Sequence, residues 1–72
     1  MPRLVPLPPR IVEKILLTNG FIVNVSKSSH RQYHHPKTGA HTTVPFHAKD
    51  IPKGTLSSII RQSGLSPLLF RK

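Results

Sequence analysis

The spacing of apolar residues along the chain marks out its elements. Ile11, Val12, Ile15 and Leu16 recur at the interval of one helical face. Pro9 suits the first turn of such a helix. Asn19-Gly20 ends it, with Gly20 fit for a left-handed cap. The spacing thus predicts a helix of roughly ten residues whose apolar stripe needs a sheet to cover. Phe21-Ile22-Val23-Asn24-Val25 is aromatic and β-branched, a strand with Phe21, Val23 and Val25 on one face. After the turn-like Ser26-Lys27-Ser28-Ser29, residues His30 to His35 alternate. His30, Gln32 and His34 point one way, Arg31, Tyr33 and His35 the other. Pro36-Lys37-Thr38-Gly39 is a turn. His41 to Phe46 forms a third strand with Thr42, Val44 and Phe46 on one side, and Pro45 marks an edge or a strand end.

A second helix opens at Gly54-Thr55 with Thr55 as N-cap, buries Leu56, Ile59 and Ile60, and closes at Gly64. Ser66-Pro67 begins one further turn, with Leu68, Leu69 and Phe70 packing back. Upstream, Pro2, Pro6 and Pro8 keep residues 1–8 as an extended Pro-rich arm ahead of a single domain over 9–72. The order is α+β: helix, three strands, helix. Short hairpin turns make the sheet antiparallel, with both helices on one face and the other bare. That αβββα layout is the architecture of the double-stranded RNA-binding domain, and layout alone says nothing of activity.

Composition narrows the partners. The chain has 72 residues, enough for one core, and a chain this short buries only about 60% of its unfolded surface. It has no cysteine, hence no disulfide and no thiolate metal site, which suits a reducing compartment. No apolar run is long enough to span a bilayer, and the proline-rich start does not suit a signal peptide. A cytoplasmic location is expected. Eleven Lys and Arg face only Glu13 and Asp50, for a net charge of +9. Self-repulsion of that size is tolerated for an anionic partner. The cations are scattered along the chain, which favours a folded phosphate-binding face over a membrane-surface helix.

The five histidines carry the candidate chemistry. A metal site is rejected: His34 and His35 point to opposite faces, and His30 and His34 lie ~13 Å apart along a strand rising ~3.3 Å per residue. His34, His35 and His41 read singly as surface or sheet-packing residues, and His47 as an anchor for the loop before Lys49. His30 starts a strand, flanked by Lys27 and Arg31. A group that titrates near neutral pH can move the proton in RNA cleavage, where the 2′-OH is the nucleophile. Such a reaction needs a base, an acid and cations on the phosphate, and no cofactor.

Read together and in order, Asn19-Gly20-Phe21, Ser28-Ser29-His30, Tyr33-His34-His35-Pro36, Thr43-Val44-Pro45-Phe46-His47, Lys53-Gly54-Thr55-Leu56, Ile59-Ile60-Arg61-Gln62 and Gly64-Leu65 resemble the HicA family of mRNA interferase toxins. The resemblance covers about residues 9–70. It implies a dsRBD-like αβββα fold, metal-independent mRNA cleavage, a catalytic histidine at His30, and a HicB-type antitoxin that occludes the active face. Lys27, Ser29, Arg31, Lys49 and Lys53 are then candidate RNA contacts, and His34 or a water the second proton-transfer group. The family glycine before Ser-His is Ser28 here, which costs of order 1 kcal/mol if that turn needs positive φ. The alternative is a non-catalytic RNA-binding module, which composition and layout fit equally. Product formation separates the two.

Overall fold

The computed structural model describes residues 4–24, 29–47 and 49–70. Its elements are α1 (Pro9–Thr18), β1 (Ile22–Asn24), β2 (His30–His34), β3 (His41–Pro45), α2 (Lys53–Ser63) and a 3₁₀ turn (Pro67–Phe70). The three strands form one antiparallel sheet in the order β1-β2-β3. This is the αβββα, dsRBD-like arrangement expected from the alternation of patterns. Among the described residues, no helix is long and apolar enough to cross a membrane.

Helix α1 begins where Pro9 fixes φ, and the Pro8 carbonyl accepts from the amides of Ile11 (3.0 Å) and Val12 (3.3 Å). Its stripe buries Val12 and Leu16 completely, which contributes about 1.5–3 kcal/mol for each side chain. The helix stops at Asn19, whose side-chain amide donates to the Ile15 carbonyl at 2.7 Å. Gly20 follows at φ +94°, and the chain turns so that the Phe21 amide donates to the Leu16 carbonyl at 3.0 Å. The extended segment before α1 is sewn into the same core: Leu7 is buried and forms an isolated β-bridge with Ile51.

Helix α2 starts earlier than its sequence suggests. Pro52, not Thr55, occupies the N-cap position, in extended geometry, and its carbonyl accepts from the Leu56 amide at 2.9 Å. Proline sets the entry angle by its ring, so no side-chain cap is used, and Thr55 becomes an exposed residue of the first turn. The rest of α2 follows expectation. Leu56, Ile59 and Ile60 are buried, and Gly64 at φ +73° caps the end. Thr42 of β3 is fully buried and donates to the Gln62 side chain at 2.9 Å, tying the sheet to α2. In the closing 3₁₀ turn only Phe70 packs back. Leu68 and Leu69 are exposed, because a four-residue turn presents one side to the core.

The strongest polar link crosses from α1 to β2. A single Glu13 carboxylate oxygen accepts from the Tyr33 hydroxyl (2.5 Å) and from the Arg31 guanidinium (2.9 Å). Arg31 also lies over the Phe46 ring, 4.1 Å from its centroid. The hydrogen bond to Glu13 holds the Arg31 guanidinium more firmly protonated than usual. Burial pushes the Tyr33 phenol well above its ordinary range, and the hydrogen bond to Glu13 pushes it further. Among the described residues every buried side-chain N or O has a partner.

Two expectations follow for stability. Removing the phenol in Tyr33→Phe is expected to cost about 2 kcal/mol at neutral pH, the range for a hydrogen bond to a charged acceptor. Because the folded phenol keeps its proton longer than the unfolded one, its contribution is complete below pH ~10 and declines as pH rises further. Urea unfolding of both proteins at rising pH is therefore expected to show a narrowing gap above ~10, and a constant gap would rule this coupling out. Gly20→Ala meets two penalties: a positive φ costing roughly 1–2 kcal/mol, and a new Cβ only 2.7 Å from His35 Nε2. A lowered urea midpoint at unchanged m-value is expected, and an unshifted midpoint would refute it.

Candidate nucleic-acid interface

The strand register sorts the sheet residues onto two faces. Directly opposed residues in an antiparallel pair share a face. Tyr33 pairs with Thr42 and Val23, and Arg31 with Val44, on the side covered by the helices. The opposite side carries Ile22 and Asn24 from β1, His30, Gln32 and His34 from β2, and His41, Thr43 and Pro45 from β3. His30, Gln32, His34 and His41 are all exposed. The result is a histidine-bearing sheet surface, mostly polar apart from Ile22 and Pro45 and covered by no helix among the described residues, on a chain of net charge +9.

His30 stands at one end of this surface. Its cross-strand partner is Pro45, and pairing persists one step past the strand, where the Phe46 amide donates to the Ser29 carbonyl at 2.7 Å. His47 lies two residues beyond Pro45, in the bend that follows β3, and reaches His30. The two imidazole rings meet edge to face, with centroids 5.1 Å apart and planes at 62°. His47, expected as a loop anchor, thus reaches the candidate catalytic residue. His34 shares the face of His30 but sits four residues along β2, opposite His41 and Ile22. The structure brings His30 and His47 together, and His34 and His41 together.

The remaining candidates fall in distinct places. Arg31 projects to the helix side, engaged by Glu13 and Phe46, away from His30. Ser29 is exposed at the bend before β2. Lys53 is exposed at the first residue of α2. Lys49 is exposed and lines a groove of about 380 Å³ with Pro8, Pro9, Arg10, Phe46 and Asp50. Lys27 and Ser28 lie outside the described residues. His35 is structural: its Nδ1 accepts from the amides of Lys37 (3.2 Å) and Thr38 (3.4 Å), and its ring stands edge-on to Phe21. Among the described residues no three His, Cys, Asp or Glu side chains stand close enough to share a metal ion.

Sequence reasoning missed two partners. Glu13 had no local mark beyond being one of two acids, and its role depends on β2 residues 18 and 20 positions away. His47 carried a signal that could have been used: it lies two residues beyond Pro45, just past the strand that pairs with His30.

The family model for the HicA toxin of bacterial toxin–antitoxin systems matches residues 9–65. This stretch runs from the first residue of α1 past the end of α2 and includes both members of each histidine pair. A search of curated proteins found no match.

Proposed function

This chain belongs to the HicA toxin family, and from that premise we propose that it is a metal-independent endoribonuclease that cleaves mRNA, with His30 transferring a proton. The observation that carries the reading is the position of His30: exposed, on the helix-free sheet face, in contact with a second imidazole. RNA brings its own nucleophile. As the 2′-oxygen attacks phosphorus it loses its proton, the P–O5′ bond breaks, and O5′ gains a proton. The products are a 2′,3′-cyclic phosphate and a 5′-hydroxyl. His30 serves one of these transfers.

The cations supply the rest. Lys27, Lys49 and Lys53 are the phosphate contacts of this reading, with Ser29 beside His30 as a hydrogen-bonding group. Arg31 acts chiefly through the fold, since Glu13 already holds its guanidinium. No cofactor is required. The protein partner is a HicB-type antitoxin in the cytoplasm, and acidic residues on it would complement the +9 charge and cover the histidine face.

The test is a purified wild-type chain against His30→Ala on single-stranded RNA. Loss of cleavage by about 10²–10⁴-fold is expected, with folding and RNA binding retained. Wild-type cleavage is expected to be unchanged in EDTA. Persistent cleavage by His30→Ala would remove His30 from the chemistry. RNA bound but left intact by the wild type would make the chain a non-catalytic binding module.

A further inference from the structure

The ring contact between His30 and His47 assigns a second residue to the chemistry. We propose that His47 is the other proton-transfer group, so that one imidazole takes the proton of the 2′-OH while the other gives one to the leaving O5′. This rests on the ribonuclease reading of His30. Three observations carry it. The rings touch, at 5.1 Å between centroids, which lets one phosphodiester lie against both. Both side chains are exposed, so a substrate can reach them. The pairing of Pro45 with His30 and of Phe46 with Ser29 fixes the approach from the backbone, so the contact is built into the sheet.

Other groups serve the second transfer less well. His34 is ~13 Å along the strand from His30, too far for one phosphate to bridge. His41 stands opposite His34 and shares that distance. His35 turns its Nδ1 to backbone amides. Tyr33 is buried against Glu13. Glu13 lies on the helix side of the sheet, facing Arg31 and Tyr33.

The step balances without any further reactant. The neutral imidazole accepts the 2′-OH proton as the 2′-O–P bond forms. The imidazolium donates its proton as the P–O5′ bond breaks. The pair ends with its protons exchanged, and transfer through water restores the starting state. Proton transfer by each positioned group contributes about 10²–10⁴-fold.

The experiment uses the full chain and two substrates, an ordinary RNA oligonucleotide and one whose scissile O5′ is replaced by sulfur. A thiolate leaves without needing an acid, so sulfur restores a variant that lacks the acid and not one that lacks the base. The variants are His30→Gln, His47→Gln and His47→Ala, with thermal unfolding and RNA binding measured on each. Glutamine keeps hydrogen bonding but cannot relay a proton. Both glutamine variants are expected to lose at least about 10²-fold on the ordinary substrate while folding and binding RNA normally. One of the two is expected to recover on the sulfur substrate, which identifies the acid. His47→Gln cleaving within a few-fold of wild type would overturn the assignment, as would failure of sulfur to rescue either variant. Those results leave the His30 reading standing, whereas a wild type that cleaves neither substrate brings down both.

Discussion

Glu13 accepts hydrogen bonds from Tyr33 and Arg31 with one carboxylate oxygen, and the orientation of the central strand depends on that double contact. A strand has two faces, and a slip of one residue exchanges them. In β2 the choice is between burying Tyr33 with Arg31 and burying His30, Gln32 and His34. Apolar burial favours Tyr33 but leaves a hydroxyl in need of a partner. Glu13, placed on α1 one residue beyond the buried Val12, supplies it. Once Tyr33 is fastened inward, the three alternate residues of β2 face solvent. The exposed histidine surface is the other side of a packing decision.

The same contact shapes the electrostatics. Only two acids oppose eleven basic residues, and one of the acids neutralises Arg31 locally. Arg31 is further held by the face of Phe46, which fixes the chain just after β3. Phe46 in turn pairs its amide with Ser29 and precedes His47. A line of contacts therefore runs from Glu13 through Arg31 and Phe46 to the segment that carries His47 to His30. The charge left uncompensated is available to an anionic partner.

Local physics made most of the fold legible. The four-residue apolar spacing of α1, the alternation of β2 and β3, and the turn residues at Asn19-Gly20 and Gly64 are one-body signals, and the structure follows them. The start of α2 was harder, because Thr55 offers a cap while Pro52 imposes an entry angle, and geometry prevailed over side-chain chemistry. Leu68 and Leu69 read as core by composition alone, yet a single 3₁₀ turn can bury only Phe70. The Glu13 contacts were not legible, since nothing near position 13 announces residues 31 and 33. Ser28, where the chain departs from the family glycine, lies outside the described residues.

The histidines show how far residue type alone carries an argument. Five identical side chains acquire three different fates from their neighbours. His35 becomes a turn brace because amides of Lys37 and Thr38 converge on its Nδ1 and Gly20 leaves room for its Nε2. His34 and His41 become cross-strand neighbours on an open face because the β2–β3 register opposes them. His30 and His47 meet just past the last β2–β3 pair, where the Phe46 amide still donates to the Ser29 carbonyl and the chain bends. General acid and base catalysis needs two groups within reach of one phosphate. His34 and His41 are opposed at the other end of the strand pair, and among the described residues the histidine rings in contact with each other are those of His30 and His47, beside a backbone hydrogen bond that holds both segments. The His30–His47 contact is therefore a property of register: shifting β3 by one residue against β2 would keep every histidine and lose the pair.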